Sequence, residues 1–330
     1  MEVAGPTTGN WSDRTVLVTG AAGLLGRRVV ADLSATNARV IGIDLAWRRA
    51  DGFDAPGSGE MIGADVRDTD TMRQTIGDFG VDTVIHLAAQ TLVGPALEKP
   101  AETFSHNIEG SWSVLEACRT SGRVKAIVLA SSDKAYGDWL GREYREDMAL
   151  RATHPYDTSK AASELVARSY ASTYGMPISI TRCGNLYGGG DLNWSRIVPG
   201  TIRSIIEGHR PVIRSDGTPI RDYLHVSDAA SGVLLLVNGI HNRPELRGEA
   251  FNLAGGNQLS AVEMVRRILL LMESPLEPEI LGLDLREIPE QRLSSLRASR
   301  TLGWKPLTSI DDGLLEAITW YQDYLATPIS

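Results

Sequence analysis

The sequence predicts an α/β chain: a doubly wound parallel sheet followed by a smaller, mixed C-terminal part. Two observations carry that prediction. Short β-branched and apolar runs alternate with helical apolar patterns from Thr15 to Arg182, as expected of parallel strands joined by crossover helices. The first of those runs leads directly into Gly20-Ala21-Ala22-Gly23-Leu24-Leu25-Gly26. That glycine spacing suits a strand that turns tightly into a helix N-terminus.

Residues 15–19 are the first strand, and Leu25, Val29, Val30 and Leu33 share one face of the helix that follows. At Gly20 and Gly23 the backbone can approach a pyrophosphate, and at Gly26 helix and strand can pack closely. Leu24 and Leu25 belong to the same cofactor-binding turn. The second strand, residues 39–43, ends in Asp44. An acid roughly 20 residues past the glycines suits the ribose hydroxyls and repels a 2′-phosphate, favouring NAD over NADP. Arg48 and Arg49 keep NADP open as an alternative.

A loop at 51–59 leads to a third strand at 62–66, with Asp65 and Val66 at the cofactor edge. Asp65 suits an adenine amino group or, alternatively, a helix N-cap, which Asp68 could equally be. The fourth run, 82–89, ends in Leu87-Ala88-Ala89, small enough for a cofactor to lie across the strand ends. His86, inside that apolar run, is expected to be a packed, hydrogen-bonded histidine. Residues 98–121 read as a long helix interrupted near Gly110 and carrying Asn107. A fifth strand, 124–130, ends in Ser131-Ser132-Asp133-Lys134, polar residues where open parallel sheets bind ligands. Residues 178–182 form the sixth strand.

Between these last strands lies Tyr156-Asp157-Thr158-Ser159-Lys160. Residues four apart on a helix share a face. A phenol ionises near ~10, and an adjacent ammonium favours the phenolate. The pair therefore reads as a device for deprotonating a hydroxyl.

Composition bounds the function. The 330 residues carry a net charge of −8 with 42% hydrophobic and 22% charged residues, which argues for a soluble globular chain and against nucleic-acid binding. Cys118 and Cys183 have neither metal-site nor disulfide spacing and read as buried thiols. No apolar run approaches the ~18 residues of a membrane span. A cytoplasmic enzyme is expected, with residues 1–13 a flexible tail, 14–185 the NAD-binding domain and 186–330 a substrate domain that can interleave with it. In the latter, residues 196–208, 228–238, 261–273 and 310–325 read as helices, and 211–213 and 221–226 as extended runs.

The glycine turn, Asp44, His86-Leu87-Ala88-Ala89, Asn107, Ser131-Ser132 and Tyr156-x-x-x-Lys160 occur in this order together with Arg182-Cys183-Gly184-Asn185, Arg221-Asp222-Tyr223 and Leu302-Gly303-Trp304. Together they resemble the extended short-chain dehydrogenase/reductases that act on nucleotide sugars, over nearly the whole chain. The resemblance implies a Rossmann domain that binds NAD, with Asn107, Tyr156 and Lys160 at the cofactor. It implies a nucleotide-diphosphate sugar held by Gln90, Asn185, the diphosphate-binding Arg221 and a second phosphate ligand, Arg292. It also implies a homodimer formed by the helices at 98–121 and 156–174, whose Trp112, Leu115, Leu165 and Val166 extend the apolar surface beyond one face.

The implied chemistry begins with oxidation at sugar C4, with Tyr156 as base, Ser132 as hydrogen-bond donor and Lys160 lowering the tyrosine. A 4-epimerase needs nothing more. A 4,6-dehydratase needs a further acid and base, and Asp133-Lys134 supplies both types directly after Ser132. That pair resembles the CDP-glucose 4,6-dehydratases and some UDP-N-acetylglucosamine dehydratases, and Gln90-Thr91-Leu92-Val93 and Gly188-Gly189-Gly190-Asp191 resemble the CDP-glucose group, whereas Gly94-Pro95 departs from the basic pair usual there and Arg221-Asp222-Tyr223 is closer to the general family. The expected activity is a 4,6-dehydratase, with a 4-epimerase as the alternative and a non-catalytic NAD-binding regulator or scaffold as the alternative of another class.

Overall fold

The computed structural model describes residues 11–45, 59–139, 141–283 and 288–326. Arg48 and Arg49 lie outside the described residues. The first half runs β1 (Thr15–Thr19), α1 (Leu24–Ser34), β2 (Arg39–Asp44), β3 (Glu60–Gly63), α2 (Thr69–Phe79), β4 (Thr83–His86), α3 (Val93–Glu98), α4 (Pro100–Phe104), α5 (Gly110–Ser121), β5 (Ala126–Ser132), α6 (Pro155–Tyr174) and β6 (Ile178–Cys183). The second half continues with β7 (Asn185–Tyr187), α7 (Ile197–Ile206), β8 (Val212–Ile213), β9 (Ile220–His225), α8 (Val226–Asn242), β10 (Ala250–Leu253), β11 (Asn257–Ser260), α9 (Ala261–Leu271), β12 (Glu279–Ile280), α10 (Leu296–Leu302) and α11 (Ile310–Ala326).

Seven strands form the main sheet in the order β10-β6-β5-β4-β1-β2-β3, and every neighbouring pair is parallel. Parallel sheets are covered on both faces. Here Val16, Val18, Val128 and Phe251 pack with α1 and α8 residues on one face, and Leu17, Ile41, Ile127 and Ile180 with residues of α2, α5 and α6 on the other. The order reverses between β1 and β4, which opens a crevice at their carboxyl ends. A smaller mixed sheet, β11-β9-β7, borders that edge: β11 is antiparallel and β7 parallel to β9.

β10 lies far beyond residue 185 yet completes the first sheet beside β6, so the two parts interleave. Two features differ from the sequence-based reading. Trp11, placed there in a flexible tail, is 2% exposed in the core, with the Arg14 guanidinium 4.6 Å from its ring centroid; an indole buries more apolar area than a loose tail would. The long helix is not broken at Gly110. It widens into a π turn at Ser105–Glu109, and Gly110 continues the helix where a Cβ would sit 3.0 Å from Val66 Cγ2. Of the two acids that could cap the next helix, Asp68 does so: its carboxylate accepts from Asp70 N and Thr71 N.

Candidate active site

The site grows from three strand ends. After β1 the chain turns at Gly20 with φ 70°, in the left-handed region that favours glycine. A Cβ there would lie 2.7 Å from Ala88 N, and one at Gly26 would lie 2.0 Å from Gly20 O. The turn is therefore closed against both the β4 loop and α1, and neither position tolerates a side chain. Gly23 is the N-cap of α1 and provides no side-chain cap, so the first-turn amides are available to an anion. Leu25 is buried beneath that turn and Leu24 packs at the edge of the same core. Asp44, at the end of β2, accepts from Ala22 N at 3.0 Å. These features fit a dinucleotide: a cradle of backbone amides, with an acid one strand away for the ribose.

The loop after β4 is clamped rather than open. Leu87 N donates to Thr19 O, Ala88 N to Thr19 Oγ1 at 3.3 Å, and Ala89 follows. Asn107, in the π turn, accepts from Gln90 N at 2.7 Å and donates to Gln90 O and to Ser159 Oγ on α6. Its side chain thus holds the loop and helix together. Gln90 closes its own amide on the Leu92 backbone. Asp65 lies beyond the end of β3, where its carboxylate meets the Arg67 fork at 2.5 Å and is held below its usual pKa by that hydrogen bond. Val66 beside it is buried. His86 is packed as expected, with Thr19 Oγ1 2.7 Å from Nδ1 and Ser111 Oγ 3.3 Å from Nε2. Burial pushes it down to about 3, so it stays neutral.

At the end of β5 the Ser132 hydroxyl donates to Asp133 Oδ1 at 3.0 Å and accepts from Lys134 N, opening a single 3-10 turn, Asp133–Tyr136. Asp133 is 1% exposed. Its Oδ2 is buried with no hydrogen-bond partner among the described residues. Lys134 Nζ donates to Gln291 Oε1 at 2.8 Å. Tyr156 and Lys160, one turn apart on α6, are both buried. Burial raises the Tyr156 phenol above its ordinary value, and the Ser132 hydroxyl offsets part of that rise. Lys160 Nζ donates to Ala130 O at 2.7 Å, and burial pushes it down to about 8. The offset at Tyr156 thus comes first from Ser132 rather than from Lys160.

On the substrate side, Asn185 opens β7 beside Tyr223 of β9. Arg221, on β9, is buried and donates to the carbonyls of Ile220 and Ile288. Arg292 pairs with Glu290 and lines an open cavity of about 550 Å³ with Gly141, Glu143 and Gln258. The bridge between Ile220 and Glu290 lays residues 288–292 along β9, which brings the Arg221 and Arg292 segments together.

The profile of the NAD dependent epimerase/dehydratase family matches residues 16–254. The chain belongs to that family. It is similar to a CDP-glucose 4,6-dehydratase of Salmonella typhimurium, at 27% identity over 96% of this chain and 92% of the relative. It is 28% identical to a UDP-glucose 4-epimerase of Mycolicibacterium smegmatis, over 93% and 98% of the two chains. The solved structure of DesIV, a dTDP-glucose 4,6-dehydratase of Streptomyces venezuelae with NAD bound, superposes with a TM-score of 0.86 at 27% identity, covering 96% of this chain and all of that one. The cofactor of this epimerase/dehydratase family member is NAD, as the glycine turn and Asp44 had indicated.

Three residues reach the site without having been singled out. Asp157 is 3% exposed, and burial pushes it up to about 6 while Lys134 pulls it down. Its position inside the Tyr-x-x-x-Lys stretch was the available signal. Arg196 crosses the cleft from Asp191 Oδ2 to Thr91 Oγ1, each at 2.9 Å, and its charge favours the Tyr156 phenolate. Gln291, beside the expected Arg292, is the partner that Lys134 finds.

Proposed function

We propose that this epimerase/dehydratase family member is a nucleotide-sugar 4,6-dehydratase, with a CDP-hexose as the first substrate to test. The observation that carries the reading is Asp133: a carboxyl buried beside Ser132, with one oxygen unpaired, next to a lysine. A 4-epimerase has no use for a second acid–base pair there. Tyr156 takes the proton of the C4 hydroxyl while Ser132 Oγ holds that oxygen. NAD, when bound, accepts hydride from C4 and returns it to C6. The C4 carbonyl acidifies the C5 hydrogen; Lys134 removes that proton and returns it to C5 when hydride reaches C6. Asp133 protonates the departing C6 oxygen, which leaves as water. Asn185 holds the sugar phosphate, and Arg221 and Arg292 the diphosphate, whose anionic oxygens suit guanidinium forks. The pocket lies between the carboxyl edge of the main sheet and residues 186–330.

Incubation with UDP-, CDP-, dTDP- and GDP-hexoses tests this by product mass. A product lighter by one water is the expected result. An unchanged mass with a new stereocentre would establish the epimerase instead, and no turnover with any of them would favour a regulator or scaffold.

Assembly is proposed as a homodimer. Trp112 on α5 and Leu165 on α6 are 40% and 62% exposed, and these helices pack side by side, so both present apolar surface outward. Leu115 is buried in the chain's own core and Val166 packs against it, so neither belongs to that face. Sedimentation should give the dimer mass, and Leu165→Glu should shift it toward monomer; a parent that stays monomeric at every concentration would refute the proposal. A cytoplasmic location fits an acidic chain whose two thiols are free and buried. Among the described residues no helix is long and apolar enough to cross a membrane.

A further inference from the structure

We infer that Tyr136 is a positioning residue: its hydroxyl, shared between Arg182 and Asn252, holds the Asp133–Lys134 turn at its working distance from the Tyr156–Lys160 helix. The inference rests on the dehydratase reading above.

The geometry is a chain of contacts with the catalytic turn in its middle. Glu164 lies on α6 one turn past Lys160 and is fully buried. It receives the fork of Arg182, with Nε 2.9 Å from Oε2 and Nη2 on Oε1. Arg182 sits on β6 in register with Ser131 of β5. Its remaining arm, Nη1, donates to Tyr136 Oη at 2.6 Å. Tyr136 Oη in turn donates to Asn252 Oδ1 on β10 at 2.7 Å. Asn252 Nδ2 donates to the carbonyls of Tyr144 and Ser294. Tyr144 N is bonded to Arg292 O, and the Tyr144 hydroxyl donates to the carbonyls of Gly137 and Glu290. One network thus joins the helix bearing Tyr156 and Lys160, the turn bearing Asp133 and Lys134, and the segment bearing Gln291 and Arg292.

Tyr136 is the residue where these three meet. It ends the turn that begins at Asp133, and the Arg182 guanidinium lies 4.5 Å from its ring centroid. Its hydroxyl ties that turn to β6 and β10 at once, while Lys134 Nζ reaches Gln291 from the same turn. Ser132, Tyr156 and Lys160 need no such grip, because a sheet strand and a twenty-residue helix hold them. Loss of the hydroxyl therefore bears on the elimination pair and spares the oxidation groups. A buried guanidinium arm and a buried carboxamide oxygen would then lack partners, and the turn would shift to relieve them.

Tyr136→Phe tests this, since the ring still fills its place between Arg182 and Tyr144. Three quantities are read with a substrate that the parent dehydrates: the rate at which substrate reduces bound cofactor, the rate of dehydrated product by mass, and the melting temperature. Cofactor reduction should stay within about twofold, while product formation falls by about 10–100-fold, the effect of a small misplacement at a reacting centre. Reduced cofactor should then build up on the variant. Should the phenylalanine variant not fold, Tyr144→Phe carries the same test, because it frees the Gly137 end of the turn and leaves Arg182 paired. Equal slowing of both steps, or a lowered melting temperature with unchanged partition, would overturn the inference and leave the network a purely structural one. A parent that dehydrates no nucleotide sugar would instead remove the dehydratase reading.

Discussion

Asp133→Asn and Lys134→Met should each stop the reaction after C4 oxidation, lowering the rate of dehydrated product by roughly 10²–10⁴-fold, the usual loss with a general acid or base. Asn fills the same volume and still accepts from Ser132 Oγ, but it cannot protonate the C6 oxygen. Methionine keeps the length of Lys134 and removes the base and the donor to Gln291. Neither change touches Tyr156, Lys160 or the glycine turn, so substrate should still reduce the bound cofactor. The near-ultraviolet absorbance of the reduced nicotinamide should rise and persist. Rapid-mixing absorbance combined with product mass separates the two half-reactions. Parent-level water loss in both variants would show that elimination uses other groups, with Asp157 the nearest candidate, and would bring the epimerase reading forward.

Lys160→Met should abolish most activity and yet make the folded protein more stable at pH 7. The ammonium is buried, and its pKa in the fold is about 8 against an ordinary 10.5. Below about pH 8 the folded chain holds a charge that burial penalises, at a cost on the order of 3 kcal/mol; the lost hydrogen bond to Ala130 O returns about 1 kcal/mol of that. Between pH 8 and 10.5 the unfolded chain binds the proton and the folded chain does not. Stability of the parent therefore rises with pH across that window, and the advantage of methionine shrinks. Melting temperatures at pH 7 and pH 10 check the sign. A methionine variant less stable at pH 7, with a gap that ignores pH, would show that the fold does not strain against this charge. The expected trade is a familiar one at catalytic centres, where a group useful to the chemistry is costly to the fold.

Much of this protein was legible in the chain because the chemistry involved is local. The glycine turn, the acid closing β2 and the tyrosine–lysine spacing each depend on a few consecutive residues whose backbone demands are visible in their types. The strand–helix alternation was legible for the same reason, since each element declares its own buried face. His86 too could be read as a packed histidine from the apolar run around it, and it is one.

Only the tertiary structure decided which distant groups meet. Lys134 finds a partner 157 residues away at Gln291, a residue the sequence did not single out. Asn107 spends its amide on the Gln90 backbone and on Ser159, and Gln90 spends its own on the Leu92 backbone; Asn107 sits in the π turn. Asp65 meets Arg67 because the strand before it ends at Gly63. β10 returns to the first sheet beside β6, which brings Asn252 to Tyr136. In each case a buried polar group must find a partner, and several candidates along the chain have the right chemistry. Residue type states the need; the packing of sheet, helices and returning strand decides which candidate comes within hydrogen-bond distance.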